Sequence, residues 1–221
     1  METIVFLDAQ NAYKGAREAF GWTDRAGRYG NFRPITLSRL IYANGDPLRR
    51  LKQVRIYTGV PSNERDSSGY QATQRRIATW KAEGRGLVEV VDRTLQYSPT
   101  ERPREKGINV LIAIDMVRMA IRDEYDAVVL ISGDTDLVPA LEFVADLKGS
   151  DRVASAMWKP SAPHLQPPQP LGVAVTAERA QILRWLIDES TFAKAADKRD
   201  YRQPIEPITG PDGRRLPPGR R

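Results

Sequence analysis

The chain of 221 residues contains no cysteine. That excludes disulfide scaffolds, zinc-thiolate sites and cysteine nucleophiles, and it suits a reducing compartment. Histidine is nearly absent as well. The single one, His164, lies in the proline-rich stretch KPSAPHLQPPQP, so neither a serine–histidine pair nor a histidine-built zinc site is available. Long hydrophobic runs are missing too. Charge interrupts every apolar stretch well short of the ~18 residues that a membrane helix needs. The opening METIVFLDAQN has no basic segment and reaches Asp8 at once, unlike a signal peptide. A cytoplasmic protein without a membrane partner is the expectation. Neither GxxxxGK[ST] nor GxGxxG occurs, which removes two common glycine-rich phosphate cradles.

What is present is basic charge, unevenly placed. The net charge is +6, and residues 198–221 alone hold seven Lys and Arg against three Asp and Glu. The tail therefore carries +4 and the body +2. A basic tail draws in nucleic acid by neutralising phosphate, or is simply solvated. Residues 193–221, rich in Pro and Arg, read as a disordered tail behind one domain at 1–192.

Within that domain, apolar β-branched runs alternate with helical segments. Strands are expected at 3–8 (TIVFLD), 53–59, 87–92, 126–132 and 152–158. Helices are expected at 12–20, 36–43, from the PSNERDSSGY stretch to 82, 108–121, 136–148 and 178–189. The strands lack polar alternation, as suits burial on both faces. The expected fold is a three-layer α/β/α sandwich around a mainly parallel, Rossmann-like sheet. Sites in such sheets form at the carboxyl ends of the strands, which points to Asp8 and to the aspartates of LISGDTDLVP.

Each of these acids has an ordinary alternative role. Asp8 is a helix cap, although Asn11 would serve equally. Asp136 caps the helix of LVPALEFVADL, which leaves Asp134 as the surplus carboxylate, presented by a turn at Gly133. Asp115 lies in INVLIAIDMVRMAI, where eleven of fourteen residues are apolar. A helix apolar nearly all round is buried, and an ionised carboxylate within it is costly unless paired or bound to metal. Asp115 either pairs with Arg118 one turn on or points into an acidic pocket. Such a pocket of hard oxygen donors suits Mg2+ or Mn2+.

Three blocks, FLDAQNAY at 6–13, EKGINVLIAIDMVRMA at 105–120 and YDAVVLISGDTDLVPALEFV at 125–144, resemble the NYN branch of the PIN-like ribonucleases. The resemblance implies a carboxylate cluster at the strand ends that cuts RNA with bound Mg2+ or Mn2+. By motif position Asp8, Asn11, Asp115, Asp134 and Asp136 match the family's catalytic set, and Asp8, Asp115, Asp134 and Asp136 its metal ligands. Ser132 matches the small hydroxyl residue before the GDxD block. Asn109 stands where many members carry aspartate, and offers metal-bound water or substrate a neutral oxygen. Arg102, Arg104 and Lys106 are placed in sequence to contact RNA phosphates, with single-stranded RNA as the expected partner. Oligomeric state, a homodimer included, stays open.

Two other readings compete. A degenerate nuclease fold would bind RNA or a protein without cutting, and Asn109 favours it. A haloacid-dehalogenase-like phosphatase would need a second aspartate two residues after Asp8, where this chain has Gln10.

Overall fold

A computed structural model describes residues 1–43, 50–162 and 182–203. His164 and residues 204–221 of the expected tail lie outside them. Six strands form one sheet: β1 (Glu2–Asp8), β2 (Arg50–Val60), β3 (Val88–Thr94), β4 (Ala127–Ile131), β5 (Val153–Trp158) and β6 (Leu183–Ile187). Their order is β3-β2-β1-β4-β5-β6, and each neighbouring pair is parallel. The helices are α1 (Ala9–Ala19), α2 (Pro34–Ala43), α3 (Ser67–Gly84), α4 (Ile108–Ile121), α5 (Val138–Lys148) and α6 (Glu189–Ala195).

The alternation of side chains along each strand builds the sandwich. In β1, Val5 and Leu7 join a core with α1, α2, α3 and α6, whereas Ile4 and Phe6 join a second core with α4 and α5. Every residue of β4 is buried, because both faces of that central strand are covered.

Three expectations need correction. Leu183–Ile187, inside the segment expected to be helix 178–189, is a parallel edge strand beside β5; residues 178–181 lie outside the described part. Pairing with the open β5 edge outweighs local helical pattern there. Helix α4 is not buried all round. Ile108, Ile112, Met116 and Met119 enter the core, but Val110 and Ile114 remain 59% and 54% exposed. A helix in an outer layer meets the sheet on one side only. The chain also stays structured past 192. Helix α6 spans that boundary, and beyond it Arg199 pairs with Glu83 and with the buried Asp197.

The topology reverses at β1. Its two neighbours are β2 on one side and β4 on the other, so a crevice opens at the carboxyl ends of β1 and β4. Asp8 is the last residue of β1, and Ser132 follows β4 directly.

Candidate active site

At this crevice Asp8 is only 4% exposed. It caps α1, its Oδ1 accepting the Asn11 N–H at 2.9 Å. The cap is therefore Asp8 and not Asn11, which is left free for another task. Asn11 Oδ1 accepts the Gly133 N–H at 2.8 Å, tying the loop after β4 to the first turn of α1. Gly133 has no left-handed backbone. What it supplies is that N–H, not the sharp turn expected from sequence.

Asp134, not Asp136, is the cap after β4. Its Oδ1 accepts the Asp136 N–H at 3.0 Å, at the start of a 3-10 turn, Thr135–Leu137. Its Oδ2 accepts the Asn109 side-chain amide at 2.6 Å. Ser132 is buried, and its Oγ accepts the Asp134 N–H at 3.2 Å. Asp136 stays exposed at the rim. Asn109 lies in the first turn of α4, which Gly107 precedes with φ +77°, a conformation that suits glycine.

Asp8, Asn11, Asn109, Asp134 and Asp136 line one pocket of about 410 Å³. Two charged residues not singled out from sequence join them, Glu105 and Lys14. Burial pushes the Asp8 carboxyl up to about 6, opposed by the Asn11 N–H and reinforced by the Asp134 charge. Burial likewise pushes Glu105 up to about 6, opposed by the Gly59 N–H that its Oε1 accepts and reinforced by Asp8. Glu105 sits in a sequence that reads as a basic loop, and only the approach of β2 through Gly59 brings it inward.

Asp115 does not join the pocket. It lies six residues beyond Asn109, about 9 Å farther along α4 at 1.5 Å per residue. It is 8% exposed, and its Oδ2 accepts Arg55 Nη2 at 3.0 Å and the Tyr57 hydroxyl at 2.9 Å. Its Oδ1 accepts Arg118 at 2.7 Å. The pairing with Arg118 holds, but two β2 side chains complete a buried network that no local spacing revealed. Arg102, Arg104 and Lys106 are exposed on the loop before α4, flanking Glu105, and Arg104 pairs with Glu101 at 3.3 Å.

Among the described residues no group of three acidic or imidazole side chains is arranged to enclose a metal ion. The donor set nonetheless fits a hard cation. Mg2+ is commonly held by one or two carboxylates and several waters, and Asp8 and Asp134 lie close enough for one to raise the other's proton affinity. A cation between them would relieve that repulsion.

The raised Asp8 carboxyl has a stability consequence. In the unfolded chain Asp8 ionises near its ordinary value of 3.8; in the fold it holds its proton to about 6. The unfolded state binds fewer protons across that window, so stability falls as pH rises from about 4 to 6. Asparagine keeps the capping oxygen and does not titrate. Asp8→Asn should stabilise the metal-free protein by about 1–3 kcal/mol at pH 8 and by little near pH 4. Urea unfolding in EDTA at both values measures this; a loss of stability at pH 8 would mean that the hydrogen bonds of the charged oxygen outweigh its desolvation.

A family model described as NYN domain matches residues 2–162. No curated protein matches the chain. Among solved structures, a Vibrio parahaemolyticus protein of unknown function is similar, with a TM-score of 0.52 and 20% identity over 86% of this chain and 94% of that one. At that identity the likeness speaks to the fold alone.

Proposed function

The chain belongs to the NYN domain family, a branch of the PIN-like nuclease superfamily, and on that premise we propose that it is a ribonuclease dependent on Mg2+ or Mn2+. The observation that carries this reading is the pairing of Asp8 and Asp134 on one pocket at the topological switch point. Asp8 and Asp134 would hold the ion, with Asp136 and Glu105 acting through water. When bound, such an ion polarises a phosphodiester and makes water a stronger nucleophile.

The remaining roles belong to the chain's own groups. Asn11 fixes the loop after β4 against α1, so the two carboxylates keep their spacing. Ser132 orients the Asp134 backbone, and Asn109 fixes the rotation of its carboxylate. Lys14 offers a cation to a phosphate oxygen at the pocket wall. Glu105, its carboxyl raised to about 6 by burial, can hold or release a proton beside the departing oxygen. Arg102, Arg104 and Lys106 stand on the adjoining rim to attract single-stranded RNA. No helix among the described residues is long and apolar enough to cross a membrane, and a cytoplasmic site of action accords with the lack of cysteine. Asp115 has no part in the chemistry.

A second reading rests on Asn109. With one carboxylate fewer than many relatives, the pocket would bind RNA without cutting it. Incubating the protein with labelled single-stranded RNA and Mn2+ or Mg2+, beside EDTA and Asp134→Asn controls, separates the two. Cleavage that needs both the ion and Asp134 supports the nuclease. Retention of RNA with no cleavage in either ion supports the binding module. Cleavage equal in parent and variant would reject this pocket as the site.

A further inference from the structure

A second pocket, of about 560 Å³, opens beside the first. Its walls come from α1, the loop after it, the first half of α3 and residues 199–202. That volume lies within the range of small-molecule sites. Its cations are Arg28, Arg76, Arg199 and Arg202, and its acids are Asp66 and Asp200. The acids are engaged locally: Asp66 Oδ1 accepts the Gly69 N–H and Asp200 Oδ1 the Arg202 N–H. Arg199 is satisfied by Asp197 and Glu83, each at 2.7 Å.

Arg76 is different. Its guanidinium lies over the Trp80 ring, 5.1 Å from the centroid. The residue is half-buried, its Nε is buried with no hydrogen-bond partner, and no carboxylate lies within ion-pair distance of it among the described residues. Burial lowers its proton affinity, and Tyr201, Tyr13, Glu105 and Asp197 pull it back only in part. A half-buried guanidinium with no carboxylate in contact is suited to binding an anion through its planar fork. Arg28 and Arg202 are exposed at the same opening.

The two pockets are neighbours along α1. Tyr13 lines the basic one, and the next residue, Lys14, lines the acidic one. Glu105 senses both Asp8 and Arg76. A single strand whose scissile phosphate lies at Asp8 and Asp134 would therefore carry an adjacent phosphate toward Arg76. We propose that this pocket is a nucleotide subsite in which Arg76, with Arg28 and Arg202, binds the phosphate of an RNA residue flanking the cut. The proposal rests on the ribonuclease reading for its substrate, but its test does not require cleavage.

The test is binding of a fluorescent single-stranded oligoribonucleotide to the full chain in EDTA, at several salt concentrations. Arg76→Met should weaken binding tenfold or more and flatten the log–log salt dependence by about 0.7, the share of one neutralised phosphate on a single strand. The melting temperature should hold or rise, because the buried, unpartnered Nε is gone and the Met side chain can still cover Trp80. The surface double variant Arg28→Ala/Arg202→Ala should weaken binding in the same direction, and decides the matter if Arg76→Met does not fold. Cleavage by the parent with unaltered RNA binding in these variants would overturn the subsite and leave the nuclease reading standing. Weakened binding without cleavage in any ion would do the reverse. A fall in melting temperature with unchanged RNA affinity would make Arg76 a packing residue and overturn the subsite.

Discussion

Asp115→Ala is expected to lower the unfolding free energy by about 3–5 kcal/mol, the usual cost of removing one partner from a buried ion pair. The substitution strands Arg55, whose side chain is only 9% exposed, and takes the acceptor from the Tyr57 hydroxyl. Glu89 still meets Arg55 at 2.6 Å, but it is half exposed and cannot replace the buried carboxylate. The contribution of Arg118 is much smaller. That residue is itself half exposed, so Arg118→Ala should cost about 1 kcal/mol or less. The pair Asp115→Leu/Arg55→Met, which removes both buried charges, should recover most of the loss. Chemical denaturation of the four proteins gives the comparison. Any Asp115 variant that folds should keep the cleavage rate of the parent. A variant with normal stability and no cleavage would return Asp115 to the catalytic set.

Exchanges at Asp134 and Asn109 should act in the opposite sense, on activity more than on stability. Groups that merely orient a metal ligand are worth about 10–100-fold, so Asp134→Asn should lower metal-dependent cleavage by about 100-fold or more. The capping oxygen toward the Asp136 N–H survives in asparagine, and the fold should persist. Asn109→Asp is the converse experiment. Its donor to Asp134, now at 2.6 Å, becomes a second carboxylate. Without metal the two charges repel, and stability should fall by about 1–3 kcal/mol. With Mn2+ present the added charge should lower the concentration needed for half-maximal cleavage by about tenfold. Thermal shifts with and without Mn2+, read beside cleavage, test both signs at once. If Asn109→Asp raises neither metal response nor activity, Asn109 is not the reason for any weakness of the site.

Much of this architecture is legible in the sequence because its causes are local. Strand 3–8 announces itself by apolar β-branched residues, and in the fold β1 ends at Asp8 as expected. The switch-point rule then points to Asp8 and the GDTD turn without further information. Expectation and fold part where a residue's partner is distant in sequence. Asp115 and Arg55 are 60 positions apart, and Gly59 and Glu105 are 46 apart. Capping differs for a related reason. Asp8 and Asn11, or Asp134 and Asp136, are chemically interchangeable as caps, and a small shift in the helix start decides between them. Edge strand β6 is a different case. LRWLI carries no alternation, so only the open β5 edge makes it a strand.

Local pattern along the chain was enough to specify the first five strands with the helices between them, the parallel sheet and the meeting of Asp8 with Asp134 at one end of it. These follow from side-chain period, β-branched composition and the topological reversal that a doubly wound sheet imposes. Which charges share an environment was set only by packing in three dimensions. Packing withdrew Asp115 into a buried pair with Arg55, brought Glu105 inward against Asp8, and left Arg76 half-buried with an unpartnered Nε. Period depends on neighbours along the chain, whereas the state of a buried charge depends on whatever the fold places within a few ångströms of it.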